Sequence, residues 1–178
     1  AVLMPILKKL IPSNTDLLNR QYFRYQQNLY HLNVLEEIPD LPGKKFVYAH
    51  LYMAHEPFVF TPQGEFRASS RQDKAAYADQ IRFLNNRIPS IVKKIISHSS
   101  TPPVIVIQAD HGWEWNNRRD QILNAYYFPN GGNELVYPEI TPVNTFRLVI
   151  NKYFGGDYDL LPDVSYYAPY GDFQTKNL

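Results

Sequence analysis

The chain has 178 residues, 44% hydrophobic and 20% charged, the composition of an ordinary globular domain with room for a real core. A net charge of +1, with no block of like charges, gives no field for gathering nucleic acid or for holding an anionic bilayer. The absence of cysteine excludes disulfides, thiolate metal sites and a cysteine nucleophile, and fits an oxidising compartment.

A single domain over 1–178 is expected, with a helical lead-in over 1–44. No run approaches the ~20 apolar residues that span a bilayer. The opening Ala1-Val2-Leu3-Met4-Pro5-Ile6-Leu7-Lys8-Lys9 carries its basic residues after its apolar ones, so it reads as neither signal peptide nor anchor but as a cut inside a longer protein. From about Asn19 to Glu37, Tyr22, Tyr25, Leu29, Leu32 and Leu35 recur at helical spacing, and Pro39 marks the end. After a turn at Leu41-Pro42-Gly43, Phe46 to Met53 reads as an interior strand, mostly apolar with His50 embedded. Ala54-His55-Glu56-Pro57 then leaves it extended, because the residue before a proline avoids the helical region. His55, on a loop at a strand end, is a functional candidate, whereas His50 reads as a supporting or core histidine.

Phe58 to Ser69 reads as a polar loop, and Arg71 to His98 as a long helix with Ala78, Ile81, Leu84, Ile88, Ile91, Val92, Ile95 and Ile96 on its apolar face and a kink at Pro89. Near its start, Tyr77 and Asp79 read as hydrogen-bonding residues, Asp79 as support for a site. Pro102 and Pro103 are followed by the β-branched run Val104 to Ile107, which predicts a central strand buried on both faces. Asp110, His111 and Gly112 stand at its carboxyl end, where open α/β sheets bind ligands. Those residues alone allow two readings: a metal or catalytic pair, or a turn cap beside a hydrogen-bonded histidine. In the following loop, Trp113 to Gln121, Arg118 and Arg119 suit bidentate binding of an anion or form a solvated surface pair. Leu123 to Phe128 predicts a shorter strand. The last helix is marked by Thr141 as N-cap, Pro142 at its first position and Gly155 at its stop, and 157–178 is expected to be an irregular tail.

Alternation of strands and helices predicts an α/β fold, a mostly parallel sheet flanked by helices, with strands 46–53 and 104–109 as neighbours. Right-handed crossover then brings His55, Asp110 and His111 to one edge.

From Lys45 to Phe154 the residues carry a resemblance: His50 and Ala54-His55-Glu56-Pro57-Phe58, Tyr77-Ala78-Asp79-Gln80 opening a helix, and Val104-Ile105-Val106-Ile107-Gln108-Ala109-Asp110-His111-Gly112. This resembles the C-terminal part of the sulfatase-like branch of the alkaline phosphatase superfamily, which includes sulfatases, lipoteichoic acid synthases and phosphoethanolamine transferases. Asn124 to Pro129 and Thr141 to Arg147 are similar to a bacterial subgroup of membrane-anchored members. The resemblance implies an alkaline-phosphatase-like fold, Asp110 and His111 as metal ligands, His55 as a ligand of the substrate's sulfate or phosphate group, and a place on the extracytoplasmic side of a bacterial membrane. The family's cysteine, serine or threonine nucleophile and its preceding acidic ligands have no counterpart here. Two ligands do not complete a divalent site, so the missing N-terminal half of the same protein is the implied partner. Sulfatases place an asparagine where His111 stands; an imidazole favours manganese or zinc over calcium or magnesium. The expected function is that of the metal-binding portion of a hydrolase or phosphotransferase of sulfate or phosphate esters, inactive alone; the alternative is a non-catalytic scaffold or binding module.

Overall fold

Two long helices dominate the first part of the computed structural model, which describes residues 14–69, 72–112, 119–167 and 176–177: α1 (Asn14–Glu37) and α2 (Lys74–His98). Pro39 lies in a 3-10 turn, Ile38–Asp40, that ends α1. Asp73 caps α2 by accepting the Ala76 N–H at 2.8 Å, and the helix runs on through Pro89, which lies on its exposed side. His98 in the last turn of α2 binds Asp40 at 2.8 Å, and that hydrogen bond holds the Asp40 carboxyl below the usual range. The chain divides into two compact units, Ala1–Ser100 and Thr101–Leu178.

The first unit is organised by Phe58-Val59-Phe60, which are buried although the surrounding loop is polar. Phe60 stacks on Phe83 of α2, with ring centroids 4.6 Å apart and planes 7° from parallel, and meets Tyr25 of α1 at 4.9 Å. A tight turn follows: Gly64 N–H donates to Thr61 O at 3.0 Å, and Arg67 N–H to Val59 O at 3.0 Å, with Phe60 bridged to Phe66. Gly64 has φ +87°, and a Cβ there would sit 2.7 Å from the Phe83 ring, so the turn closes onto that ring only as glycine. The buried amide of Val59 is met by a side chain, Gln80 Oε1, at 2.9 Å. The buried positions of α2 are Ala76, Gln80, Phe83 and Ile91. That stripe is displaced around the helix from the expected face, because Phe83 and Gln80 turn to serve Phe60 and Val59.

In the second unit β1 (Ile105–Gln108) pairs with β2 (Asn124–Tyr127) antiparallel, Ile105 opposite Tyr127 and Gln108 opposite Asn124. Gln108 Nε2 donates to Asn124 Oδ1 across that last pair at 2.8 Å. A second pairing, β3 (Tyr166–Tyr167) with β4 (Lys176–Asn177), is also antiparallel. The amphipathic helix α3 (Pro142–Phe154) begins after Thr141 and ends at Gly155, whose φ of +69° suits a left-handed stop. Its buried Asn144 donates to Leu161 O at 2.7 Å and to Asp163 Oδ1 at 3.0 Å and accepts the Leu161 N–H at 2.9 Å, so the chain after α3 is fastened back onto it. Asp163 also accepts the Thr141 N–H (2.7 Å) and the Tyr137 hydroxyl (2.5 Å). A carboxylate from beyond the helix thus serves its N-terminus, where the Thr141 side chain makes no capping bond.

The expected mostly parallel sheet flanked by helices is not the fold. The described residues are helix-rich with short antiparallel pairings. Two causes act. β1 pairs antiparallel with β2, the next strand in the chain, across residues 109–123. Phe46–Met53 belongs to the other unit and takes no part in strand pairing: only its end, Leu51 and Met53, packs against the core, while Phe46 and Tyr48 are exposed at 93% and 82%. Among the described residues, no backbone hydrogen bond is made by Phe46 through His50.

Two outcomes follow from these contacts. Phe60→Ala removes a buried ring that touches both helices and is expected to destabilise the first unit by about 3–5 kcal/mol in urea unfolding; a loss below about 1 kcal/mol would contradict the assigned core. Burial raises the Asp163 carboxyl, but the hydrogen bonds from Tyr137, Thr141 and Asn144 outweigh it and leave its pKa lowered, while the bond to Asp163 raises that of Tyr137. A lowered acid stabilises above its unfolded pKa and loses that contribution as pH falls through the folded value; a raised phenol stabilises below its unfolded pKa and loses it as pH rises. Amide-exchange protection of Leu161 should therefore hold between about pH 4 and 10 and weaken outside that window. Asp163→Asn should remove the acid limb, and an unchanged profile in that variant would contradict the assignment.

Candidate functional site

Asp110 and His111 follow β1 directly, and the strand's pairing holds them at its carboxyl end through the Ala109 N–H to Leu123 O bond of 2.9 Å. The His111 ring is oriented from its backbone: Nδ1 lies 2.8 Å from Gly112 O, as a donor, and Nε2 is turned toward Asp110 Oδ2 at 3.8 Å. Gly112 is itself pinned by its N–H to Arg119 O at 2.7 Å. An imidazole whose Nδ1–H is spent on a carbonyl presents Nε2 to a cation, the arrangement that second partners impose on metal-binding histidines. The Asp110 side chain is 89% exposed, so the pair opens outward. One oxygen and one nitrogen donor suit a divalent cation, and they are fewer than the three protein ligands of a catalytic zinc site. Among the described residues no group of three or more such side chains is placed to hold a metal ion. Arg119 is exposed beside this turn; Arg118 lies outside the described residues, as does 113–117 of the expected loop.

His55 lies in the first unit, at the bend after Phe46–Met53 where Ala54 takes φ +58°. Its Nδ1 is 2.7 Å from Glu56 O and its Nε2 3.2 Å from the Tyr52 hydroxyl. The same pattern as at His111 recurs: Nδ1–H donates to the next residue's carbonyl, which fixes the ring and leaves Nε2 outward, here accepting the Tyr52 proton. Arg24 of α1 joins this bend. Its guanidinium carbon lies 4.0 Å over the Tyr52 ring, and Nη1 donates to the same Glu56 carbonyl at 3.4 Å.

Comparison with known proteins returned no matching family model, no matching curated protein and no matching solved structure.

The supporting residues have other duties. Asp79 is bound by Arg67 at 2.6 Å and Arg82 at 2.7 Å, and Arg67 also reaches Asp73 at 3.5 Å, so Asp79 ties the loop after Phe60 to the start of α2. His50 is exposed, its ring 6.3 Å from that of Tyr52, and lines the groove between α1 and the extended segment with His31. Tyr77 packs edge-on against Phe58, and burial raises its pKa. Arg24 and Tyr52 escaped sequence reasoning: Arg24 sits in a helix whose polar residues look uniformly solvated, and only the bend at Ala54 brings His55 to it. The one signal was the run of aromatic residue, histidine and glutamate before Pro57.

Proposed function

We propose that this chain is the metal-binding portion of a hydrolase or phosphotransferase acting on sulfate or phosphate esters, and that it works with a further polypeptide, the N-terminal half of the same protein. The observation that carries this reading is the Asp110–His111 pair, one exposed carboxylate and one backbone-oriented imidazole at the end of β1. In this reading the pair holds the cation, manganese or zinc being favoured by the nitrogen donor. When bound, the cation supplies Lewis-acid stabilisation of the ester's developing charge. Within the first unit His55 is read as a ligand of an ester's anionic group, and within the second Arg119 offsets charge near the turn. Asp110 brings one negative charge against the two of a dication, and Gly112 O keeps the imidazole from swinging away. The unpaired segment Phe46–His50 supports the need for a partner, since its free backbone groups and exposed aromatic side chains are suited to binding another chain. A place on the extracytoplasmic side of a bacterial membrane belongs to the same proposal; among the described residues no helix is long and apolar enough to cross a membrane.

The same exposed segment favours a second reading, a non-catalytic scaffold that uses Phe46 and Tyr48 to bind another chain.

The test is turnover of aryl phosphate, phosphodiester and aryl sulfate substrates with manganese or zinc. The isolated chain should give none, the full open reading frame should turn over at least one, and Asp110→Ala there should lower turnover at least about a hundredfold. Robust activity from the isolated chain would overturn the partner requirement. A full-length protein unaffected by Asp110→Ala would shift the assignment to the scaffold.

A further inference from the structure

The first unit contains an arginine whose surroundings differ from those of its neighbours. Arg67, Arg82 and Arg87 each face a carboxylate: Arg67 and Arg82 bind Asp79, and Arg87 binds Glu36. Arg24 is half-buried and has no carboxylate partner among the described residues. One face of its guanidinium lies on the Tyr52 ring at 4.0 Å, and one N–H reaches the Glu56 carbonyl at a long 3.4 Å. A guanidinium has five donors, so most of its fork is uncommitted, and the aromatic ring beneath fixes its plane.

His55 meets the same two groups. Its ring centroid is 4.5 Å from that of Tyr52, its Nδ1 shares the Glu56 carbonyl at 2.7 Å, and its Nε2 is 3.2 Å from the Tyr52 hydroxyl. Arg24 and His55 therefore share the Glu56 carbonyl and the Tyr52 ring, and the Tyr52 hydroxyl lies against His55 Nε2. The nearest acid in sequence, Glu56, has its carboxylate engaged by the Gln72 N–H at 2.5 Å. These groups suit a tetrahedral oxyanion: a planar fork meets two oxygens, and protonation of His55 turns Nε2 into a donor to the Tyr52 oxygen and frees the Tyr52 O–H for a third. The bend places them without a partner strand, because Asn28 of α1 holds Tyr52 O at 3.2 Å and the core residue Phe58 follows directly after Pro57.

We propose that Arg24, Tyr52 and His55 form the oxyanion-binding site for the phosphate or sulfate group of the ester, with Arg24 as its principal cation. The proposal rests on the assignment of His55 as the substrate's anion ligand and adds two residues that supply charge and geometry. Arg24 recognises a dianionic or monoanionic tetrahedral group, and the Tyr52 hydroxyl, shared with His55 Nε2, completes the wall.

The experiment is a titration of the isotope-labelled whole chain with inorganic phosphate and, in a parallel arm, sulfate, against sodium chloride at matched ionic strength. The readouts are the Arg24 Nε–Hε and His55 ring nitrogen signals. Both should shift along one saturable isotherm that chloride does not reproduce, and the tighter of phosphate and sulfate names the ester class. Arg24→Gln should weaken binding at least tenfold with its amide spectrum otherwise kept. Arg24→Lys, which keeps stem and charge but loses the fork, should weaken it severalfold and decides the matter if the glutamine variant does not fold. A His55 response with unchanged affinity in the Arg24 variants would remove Arg24 from the site and leave the ester reading of His55 standing. Equal response to chloride, or no response at either residue, would overturn both.

Discussion

Burial of Phe60 is the contact on which the first unit depends. Its ring lies flat on Phe83 and against Tyr25, so one side chain joins α1 to α2, and the burial of the tripeptide Phe58-Val59-Phe60 follows. A buried peptide needs partners for its amides, and here they come from a one-bridge turn and from the Gln80 side chain rather than from a sheet. Gly64, without a Cβ, lets the turn come down on the Phe83 ring. With Phe58 to Phe60 anchored, the preceding bend is drawn to α1, and the neighbourhood of Arg24, Tyr52 and His55 is a consequence of core packing.

The second unit rests on a different device, a buried polar centre. Asn144 binds the chain on its return past α3, and Asp163 gathers the Thr141 amide and the Tyr137 hydroxyl at the helix start. A fully satisfied polar cluster of this kind sets one arrangement where small apolar area alone would permit several. The β1–β2 pair is tied to α3 by the Tyr126 hydroxyl, 2.9 Å from Thr145 Oγ1, and its Asp110–His111 terminus is supported by strand pairing and by the Gly112 to Arg119 bond.

Local signals in the sequence were reliable where the physics is local. The proline and glycine bracketing α3 act on their own backbone, and the helix runs from Pro142 to Phe154 as those residues demand. β2 likewise lies within the expected Leu123–Phe128. What depended on distant partners was not legible. Gln80 is polar and fully buried only because Val59 offers an amide, so hydrophobic periodicity placed the buried face of α2 a step away. Phe46–Met53 has the composition of an interior strand, yet composition says nothing about what lies beside it: the segment joins no strand pairing, and the parallel sheet inferred from alternation does not form. The candidate sites divide in the same way: Asp110 and His111 are neighbours in the sequence, so their proximity needs no fold, whereas Arg24 reaches His55 only through the packing of a helix against a bend.

In the proposed reading cation and anion bind separate elements, the cation the end of β1 and the anion the bend beside α1. Paramagnetic broadening by manganese tests the first assignment most directly. Added to the labelled chain at low stoichiometry, manganese should broaden the amides of Ala109 to Gly112 most strongly, and Asp110→Ala should abolish that focus. Broadening centred elsewhere, or unchanged in the Asp110→Ala variant, would contradict the assignment of Asp110 and His111 as metal ligands.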